Sequence, residues 1–281
     1  MGVAIYGKEV AISYKEKLKN FMVHRVENGL RPPCIASILI GKDKGSLFYI
    51  KNQSKLCEEV GVEFKSIILE ENVPEGSVLE TIDKLNIDDN IDGIILQLPL
   101  PEYLNEEKII NRINHLKDVD GLTDVNAGKF YKGEKCFLPC TAQGIIELIK
   151  STGIKISGKN AVVLGRSTIV GKPVAQLLVN EDATVTICHS KTNNIEKICR
   201  EADILVSAIG KGKFVTEDFI KDGAVVIDVG FSVVNGKMVG DVDYEKVLPK
   251  ASFITPVPGG VGSMTPIMLI KNTCEVLNNV Y

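Results

Sequence analysis

Short continuous apolar runs alternate along the chain with stretches whose apolar residues recur three and four positions apart, the pattern of buried strands between amphipathic helices. A first helix is predicted over roughly residues 8–27, ending near Asn28 and Gly29. CIASILIG, residues 34–41, then predicts a strand that enters the polar loop KDKGS. Ser46 is placed to cap the next helix, with Ile50, Cys57 and Val60 forming its buried stripe and Gly61 ending it. EFKSIILE predicts a second strand, a helix follows to about residue 86, and DGIILQLPLP predicts a third strand running into a proline-rich turn. Strands alternating with helices imply an α/β layer structure with a mostly parallel sheet, in which polar groups at the carboxyl ends of strands, around Gln97, are the places for ligands.

After KDVDGLTDVNAG a helix is predicted from CTAQGIIELIKSTG, and a second alternation begins. NAVVLG, TVTICHS, DILVSAIG and AVVIDVG read as strands of a Rossmann-like domain of roughly 120 residues. In TPIMLIKNTCEVLNN, the spacing of Met268, Leu269, Cys274 and Leu277 predicts a helix that packs back on the first domain. The expected fold is therefore α/β with two α/β domains. Residues 1–140, rejoined by 262–281, form the first, and 141–261 form the second.

Composition narrows the classes. With 281 residues, 44% hydrophobic and 25% charged, the chain is long enough for two globular domains. A formal charge of −3 argues against a non-specific nucleic-acid surface, and neither a secretion signal nor a membrane-spanning run is evident. The seven cysteines are odd in number and irregularly spaced, which suits reduced thiols in a cytoplasmic protein. Cys136 and Cys140 flank FLP, a spacing unlike a structural zinc knuckle, and no metal site is expected.

The most informative chemistry lies in AVVLGRSTIVGKPVAQLL, residues 161–178: a strand, a glycine turn and a helix. Gly165 permits a tight exit, Gly171 a close approach of backbone, and Pro173 suits a first helical turn. An NAD site would carry a carboxylate about 20 positions later, whereas the next strand ends ICHSKT. Arg166, Ser190 and Lys191 can instead surround an anion, for which the 2′-phosphate of NADP is the evident candidate. Taken alone, Lys191 also suits a solvated surface and His189 a local hydrogen bond. ITPVPGGVGSMTP, residues 254–266, suits backbone laid beside a planar ligand or an interdomain turn.

YxxxQSK, DGIILQLPLP, KDVDGLTDVNAG, FLPCTAQG, VVLGRSTIVGKP, ATVTICHSKT, VVIDVG, GKMVGDVD and ITPVPGGVGSMT occur in this order. Together they resemble the methylenetetrahydrofolate dehydrogenase/methenyltetrahydrofolate cyclohydrolase family over nearly the whole chain. The resemblance implies a homodimer whose protomers have an active-site cleft between a folate domain and an NADP domain. It further implies oxidation of 5,10-methylenetetrahydrofolate with NADP and, in many members, hydrolysis of the methenyl product to 10-formyltetrahydrofolate. By the same resemblance Tyr49, Gln97, Asp120, Pro258 and Gly259 contact the folate, and Gly165, Arg166, Ser167, Ser190 and the backbone of Phe231 contact NADP. Their chemistry agrees: Tyr49 offers a ring face, Asp120 an acceptor for an amino-substituted pterin and Gln97 an orienting amide. Without the resemblance, packing, a turn cap and a strand-end amide would account for the same three residues.

Hydride transfer needs alignment more than a protein base, but hydrolysis must remove a proton from water. The family usually has a lysine four residues after the cleft tyrosine, and this chain has Gln53 there. Lys51 and Lys55 lie about 200° around the helix from it and are unsuited to replace it. A glutamine cannot exchange a proton near neutral pH, so Tyr49, Gln53, Gln97 and Asp120 are expected to form a catalytic set with dehydrogenase activity and with cyclohydrolase activity absent or strongly reduced. Full bifunctionality and an inactive folate or nucleotide sensor are the alternatives. Ala142, Phe231, Ser232 and Ser263 are further departures from residues common in the family.

Overall fold

Strands and helices alternate over much of the chain in a computed structural model that describes residues 2–234 and 236–277. β1 (Val3–Ala4) and α1 (Gly7–Glu27) precede β2 (Cys34–Ile40), α2 (Lys44–Val60), β3 (Glu63–Leu69), α3 (Glu75–Ile87) and β4 (Gly93–Leu96). Helices α4 (Glu106–Ile110) and α5 (Asp124–Lys132) lead to α6 (Cys140–Ser151). Then come β5 (Asn160–Leu164), α7 (Gly171–Asn180), β6 (Thr184–Cys188), α8 (Ile195–Cys199), β7 (Ile204–Ser207) and β8 (Val225–Asp228). The antiparallel pair β9 (Phe231–Val234) and β10 (Lys237–Gly240) is followed by α9 (Tyr244–Val247), β11 (Phe253–Ile254) and α10 (Thr265–Leu277).

The chain divides into two units, Ser13–Cys140 with Pro266–Tyr281, and Met1–Ile12 with Thr141–Thr265. This differs from the expected 1–140 at its start. Val3 and Ala4 pair in parallel with Phe253 and Ile254, and the Ile5 N–H donates to the Ile254 carbonyl at 2.8 Å, which ties the opening residues to the other unit's sheet.

The unit built on Ser13–Cys140 holds a parallel sheet in the order β3-β2-β4. Every residue of β2 and β4 is buried, as expected of parallel strands covered on both faces. Ile38, Ile82, Ile94 and Ile109 anchor its core. α2 has the predicted stripe, with Ile50, Cys57 and Val60 buried, and Gly61 closes it at φ 84°. Its cap is not Ser46. Asp43 accepts from the Ser46 N–H at 2.8 Å and from its hydroxyl at 3.0 Å, because a carboxylate three residues upstream is the stronger acceptor and meets the helix dipole.

The unit built on Thr141–Thr265 is the Rossmann-like one. Its six-stranded sheet runs β1-β11-β8-β7-β5-β6 with every pairing parallel. Val162, Leu164, Leu205, Val226 and Ile254 contribute to its core. Among the described residues, no helix is long and apolar enough to cross a membrane, and all seven cysteines are free thiols.

Candidate active site

The polar centre of the first-described unit begins inside its sheet. Ser37 is fully buried in the middle of β2, and Gln97 follows the last residue of β4. The Gln97 N–H donates to the Ile38 carbonyl at 2.9 Å, extending the β2–β4 pairing and aiming the side chain back along the sheet. Gln97 Nε2 then donates to Ser37 Oγ at 2.9 Å and to Gln53 Oε1 at 3.1 Å. Gln53 stands on the inward face of α2 at 3% exposure, with Ile35, Cys57, Ile95 and Leu269 around it. Its Nε2 has no hydrogen-bond partner. Lys51 and Lys55 are exposed, as the helical rotation requires.

Tyr49 lies one turn before Gln53. Burial pushes its phenol well above the usual range, and the charges of Asp120 and Cys140 push in the same direction, which places the three groups in one neighbourhood. The Gln53 amide opposes that rise, although no hydrogen bond of ordinary geometry closes between Nε2 and the phenol. Asp120 is itself pushed up to about 7, chiefly by burial and then by Asp118, while hydrogen bonds from the Cys140 thiol and backbone N–H pull it down. Burial also raises Cys140 well above its usual value, with Asp120 adding to the effect and Lys271 opposing it.

Two buttresses hold this carboxyl in place. The buried Asp118 carboxylate accepts from the Leu122 N–H at 3.1 Å, the Thr123 N–H at 2.8 Å, the Thr123 hydroxyl at 2.7 Å and Asn126 Nδ2 at 2.8 Å. From α10, Asn272 Nδ2 donates to the carbonyls of Val119 at 2.9 Å and Leu138 at 3.1 Å, joining the segments that carry Asp120 and Cys140. The predicted return of the last helix therefore has a polar clasp beneath its apolar stripe.

In the Rossmann-like unit, β5 lies between β6 and β7, so the turns after Leu164 and Cys188 leave the sheet side by side. Gly165 has φ +114°, and a Cβ there would run into the Ala208 carbonyl oxygen. A Cβ on Gly171 would run into the carbonyl of Gly165. This backbone cradle, with Arg166, Ser190 and Lys191 exposed at the two strand exits and no carboxylate closing β6, fits a nucleotide bearing an extra phosphate. Ser167 has a further task, since its Oγ accepts from the N–H groups of Val170 and Gly171 at 3.2 Å and starts α7. Phe231 begins β9 with its side chain 64% exposed. Pro258 follows a cis peptide, and Gly259 accepts from the Gly7 N–H at 2.9 Å.

Tyr49, Gln53, Gln97 and Asp120 thus gather in one unit, and Gly165, Arg166, Ser167 and Ser190 in the other. The sequence alone does not single out Ser37, Asp118 or Asn272, and it points to Cys140 only in the spacing compared with a zinc knuckle. A lone serine inside an apolar strand was the available signal for Ser37; the other roles depend on contacts remote in sequence.

Residues 5–120 match the family model for the tetrahydrofolate dehydrogenase/cyclohydrolase catalytic domain, and residues 139–281 match that for the NAD(P)-binding domain. The chain is 70% identical over 276 residues to the bifunctional protein FolD of Clostridium tetani, covering 98% of this chain and 99% of that one. It is 58% identical over 277 residues to the bifunctional protein FolD of Clostridium novyi, covering 99% and 100%. Among solved structures, the bifunctional FolD methylenetetrahydrofolate dehydrogenase/cyclohydrolase of Campylobacter jejuni superposes with a TM-score of 0.96 at 40% identity, covering 100% of both chains. The Trypanosoma brucei methylenetetrahydrofolate dehydrogenase-cyclohydrolase, complexed with NADP cofactor and an inhibitor, gives 0.94 at 37% identity, covering 99% of this chain and 98% of that one. These full-length relatives overturn the expectation of an absent or strongly reduced cyclohydrolase. The relatives at 70%, 58% and 40% identity are all described as bifunctional, which favours the alternative of two activities over the expectation drawn from Gln53 alone.

Proposed function

The chain belongs to the tetrahydrofolate dehydrogenase/cyclohydrolase family, and from that premise we propose that it oxidises 5,10-methylenetetrahydrofolate with NADP and then hydrolyses the methenyl product to 10-formyltetrahydrofolate. The observation that carries the reading is the Tyr49, Gln53, Gln97 and Asp120 cluster, built on a sheet end and steadied by Ser37, Asp118 and Asn272. NADP supplies the hydride acceptor. Tyr49 offers its ring face to the folate, Asp120 accepts from the amino-substituted pterin, and Gln97 Oε1 stays available to orient the substrate because its Nε2 is engaged. Pro258 and Gly259 supply further contacts to the folate. Gly165, Ser167, Ser190 and the Phe231 backbone hold the dinucleotide, and the Arg166 guanidinium matches its 2′-phosphate.

In this reading Gln53 occupies the position at which the family usually has a lysine. Hydrolysis proceeds without a titrating side chain there, and the proton released from water passes to solvent. Two copies assembling as a homodimer belong to the same reading, supported by the exposed apolar side chains Val233, Val234 and Met238 on β9 and β10. The test follows NADPH formation and methenyl decay separately with purified protein. Both should exceed their uncatalysed rates; NADP reduction accompanied by methenyl decay at the spontaneous rate would refute the second activity.

A further inference from the structure

Asp228 closes β8 and Asp241 follows β10, and both side chains are buried in the Rossmann-like unit. The two Asp228 oxygens accept from the N–H groups of Asp241 and Val242, each at 2.9 Å, which fixes the backbone that carries Asp241. Asp241 in turn reaches the loop after β7. Its Oδ2 accepts from the Ile209 N–H at 2.8 Å and from the Ser207 hydroxyl at 3.1 Å, and its Oδ1 accepts from the Lys211 N–H at 2.7 Å. Each oxygen faces a backbone N–H, which can only donate, so the group has to accept at both ends. The space around the pair is kept for it: a Cβ on Gly230 would run into the Asp241 carboxyl, and one on Gly240 into that of Asp228.

The loop held in this way lies beside the nucleotide turn. The Ala208 N–H donates to the Leu164 carbonyl at 2.8 Å, prolonging the β5–β7 pairing, and the Ala208 carbonyl oxygen is the atom that a Cβ on Gly165 would strike. On the other side the Val229 N–H, two residues before Phe231, donates to the Ser207 carbonyl at 2.8 Å, and the Ser232 hydroxyl donates to the Gly210 carbonyl at 3.0 Å. β7 lies between β5 and β8, so a dinucleotide held at Gly165 and at the Phe231 backbone has to pass the exit of β7. Resting on that assignment of NADP, we infer that Asp241 is a positioning residue for the cofactor: through the N–H groups of Ile209 and Lys211 it holds residues 208–211 as the middle wall of the dinucleotide site. With 0% of its surface exposed, Asp241 acts through the loop and not by contact. Its effect is preorganisation, since a loop that spends only part of its time in the binding form lowers the apparent affinity by that fraction.

Asp241→Asn sets an NH2 group against one of the two N–H donors and so releases either Ile209 or Lys211. NADPH binding in the absence of folate, titrated by the cofactor's own fluorescence, should weaken about tenfold. Amide hydrogen exchange at Ile209 or Lys211 should quicken in the free variant and slow again with NADPH bound. KM for NADP should rise with the dissociation constant while kcat stays within about twofold, because saturating cofactor restores the loop. Asp203→Asn is the comparison for a merely structural role. Asp203 ties the opposite end of the same sheet, accepting from the Asn160 N–H at 3.0 Å and from Lys221 Nζ at 2.6 Å, and its loss should lower the melting temperature with NADPH affinity unchanged. Ser232→Ala removes the other tie to the loop from outside the core; it should weaken NADPH about threefold, and it gives the answer if the Asp241→Asn chain does not fold. Unchanged NADPH affinity in Asp241→Asn would overturn the inference, as would an equal weakening in Asp203→Asn, or unchanged affinity in Ser232→Ala where that variant has to decide. If the unaltered chain does not bind NADPH, the assignment of the cofactor has failed instead.

Discussion

Replacing Asp120 by asparagine should remove a pH dependence from stability. The folded carboxyl is pushed up to about 7, by burial first and by Asp118 second, against an unfolded value of about 3.9. Since the folded value is the higher one, its stabilising contribution is fully present below the unfolded pKa and is lost as pH rises through about 7. Three units at about 1.4 kcal/mol each set an upper limit near 4 kcal/mol. Asp120 keeps some solvent contact, so the usable part between pH 5 and 8 is about 2 kcal/mol after screening. Urea unfolding of the unaltered chain and Asp120→Asn at pH 5, 6.5 and 8 measures it. The asparagine retains an acceptor for the Cys140 N–H but does not titrate. Asp228, also pushed up to about 7 by burial, contributes the same trend to both chains and cancels in the comparison. The unaltered chain should lose about 2 kcal/mol relative to the variant across this range. Parallel dependences on pH would refute the account of Asp120 as a carboxyl held protonated by its surroundings.

Other substitutions examine the nucleotide turn and the clasp. Arg166→Ala should lower kcat/KM for NADP by about 10- to 100-fold while changing that for NAD much less, because it removes a charge-assisted contact to a phosphate that NAD lacks; an unchanged preference would contradict the assignment. Asn272→Ala removes one buried donor from each of the Val119 and Leu138 carbonyls and should destabilise the unit by about 1–3 kcal/mol, read from denaturant midpoints. Because the clasp joins the Asp120 and Cys140 segments, the same variant should also shift the titration of Asp120.

The residues that could be read from sequence and those that could not differ in a physical way. The strand CIASILI, the helix stripe of Ile50, Cys57 and Val60 and the Gly61 stop are local statements of period and backbone freedom, and the structure contains each of them. The cap of α2 is also local, yet Asp43 and Ser46 both suit a helix start and only the geometry shows Ser46 donating to Asp43. Residues 1–12 went to the other unit because a two-residue strand carries almost no periodic signal, while its partner β11 lies some 250 positions away.

Gln53 shows the limit most clearly. The family resemblance places a lysine where this chain has Gln53, and a lost activity is the expectation that residue 53 alone supports. In the folded chain its amide is one member of a buried polar series in which Ser37 meets Gln97 and Gln97 meets Gln53. Ser37 and Gln97 are 60 residues apart and meet only because β2 and β4 pair in parallel with Ser37 opposite Ile95.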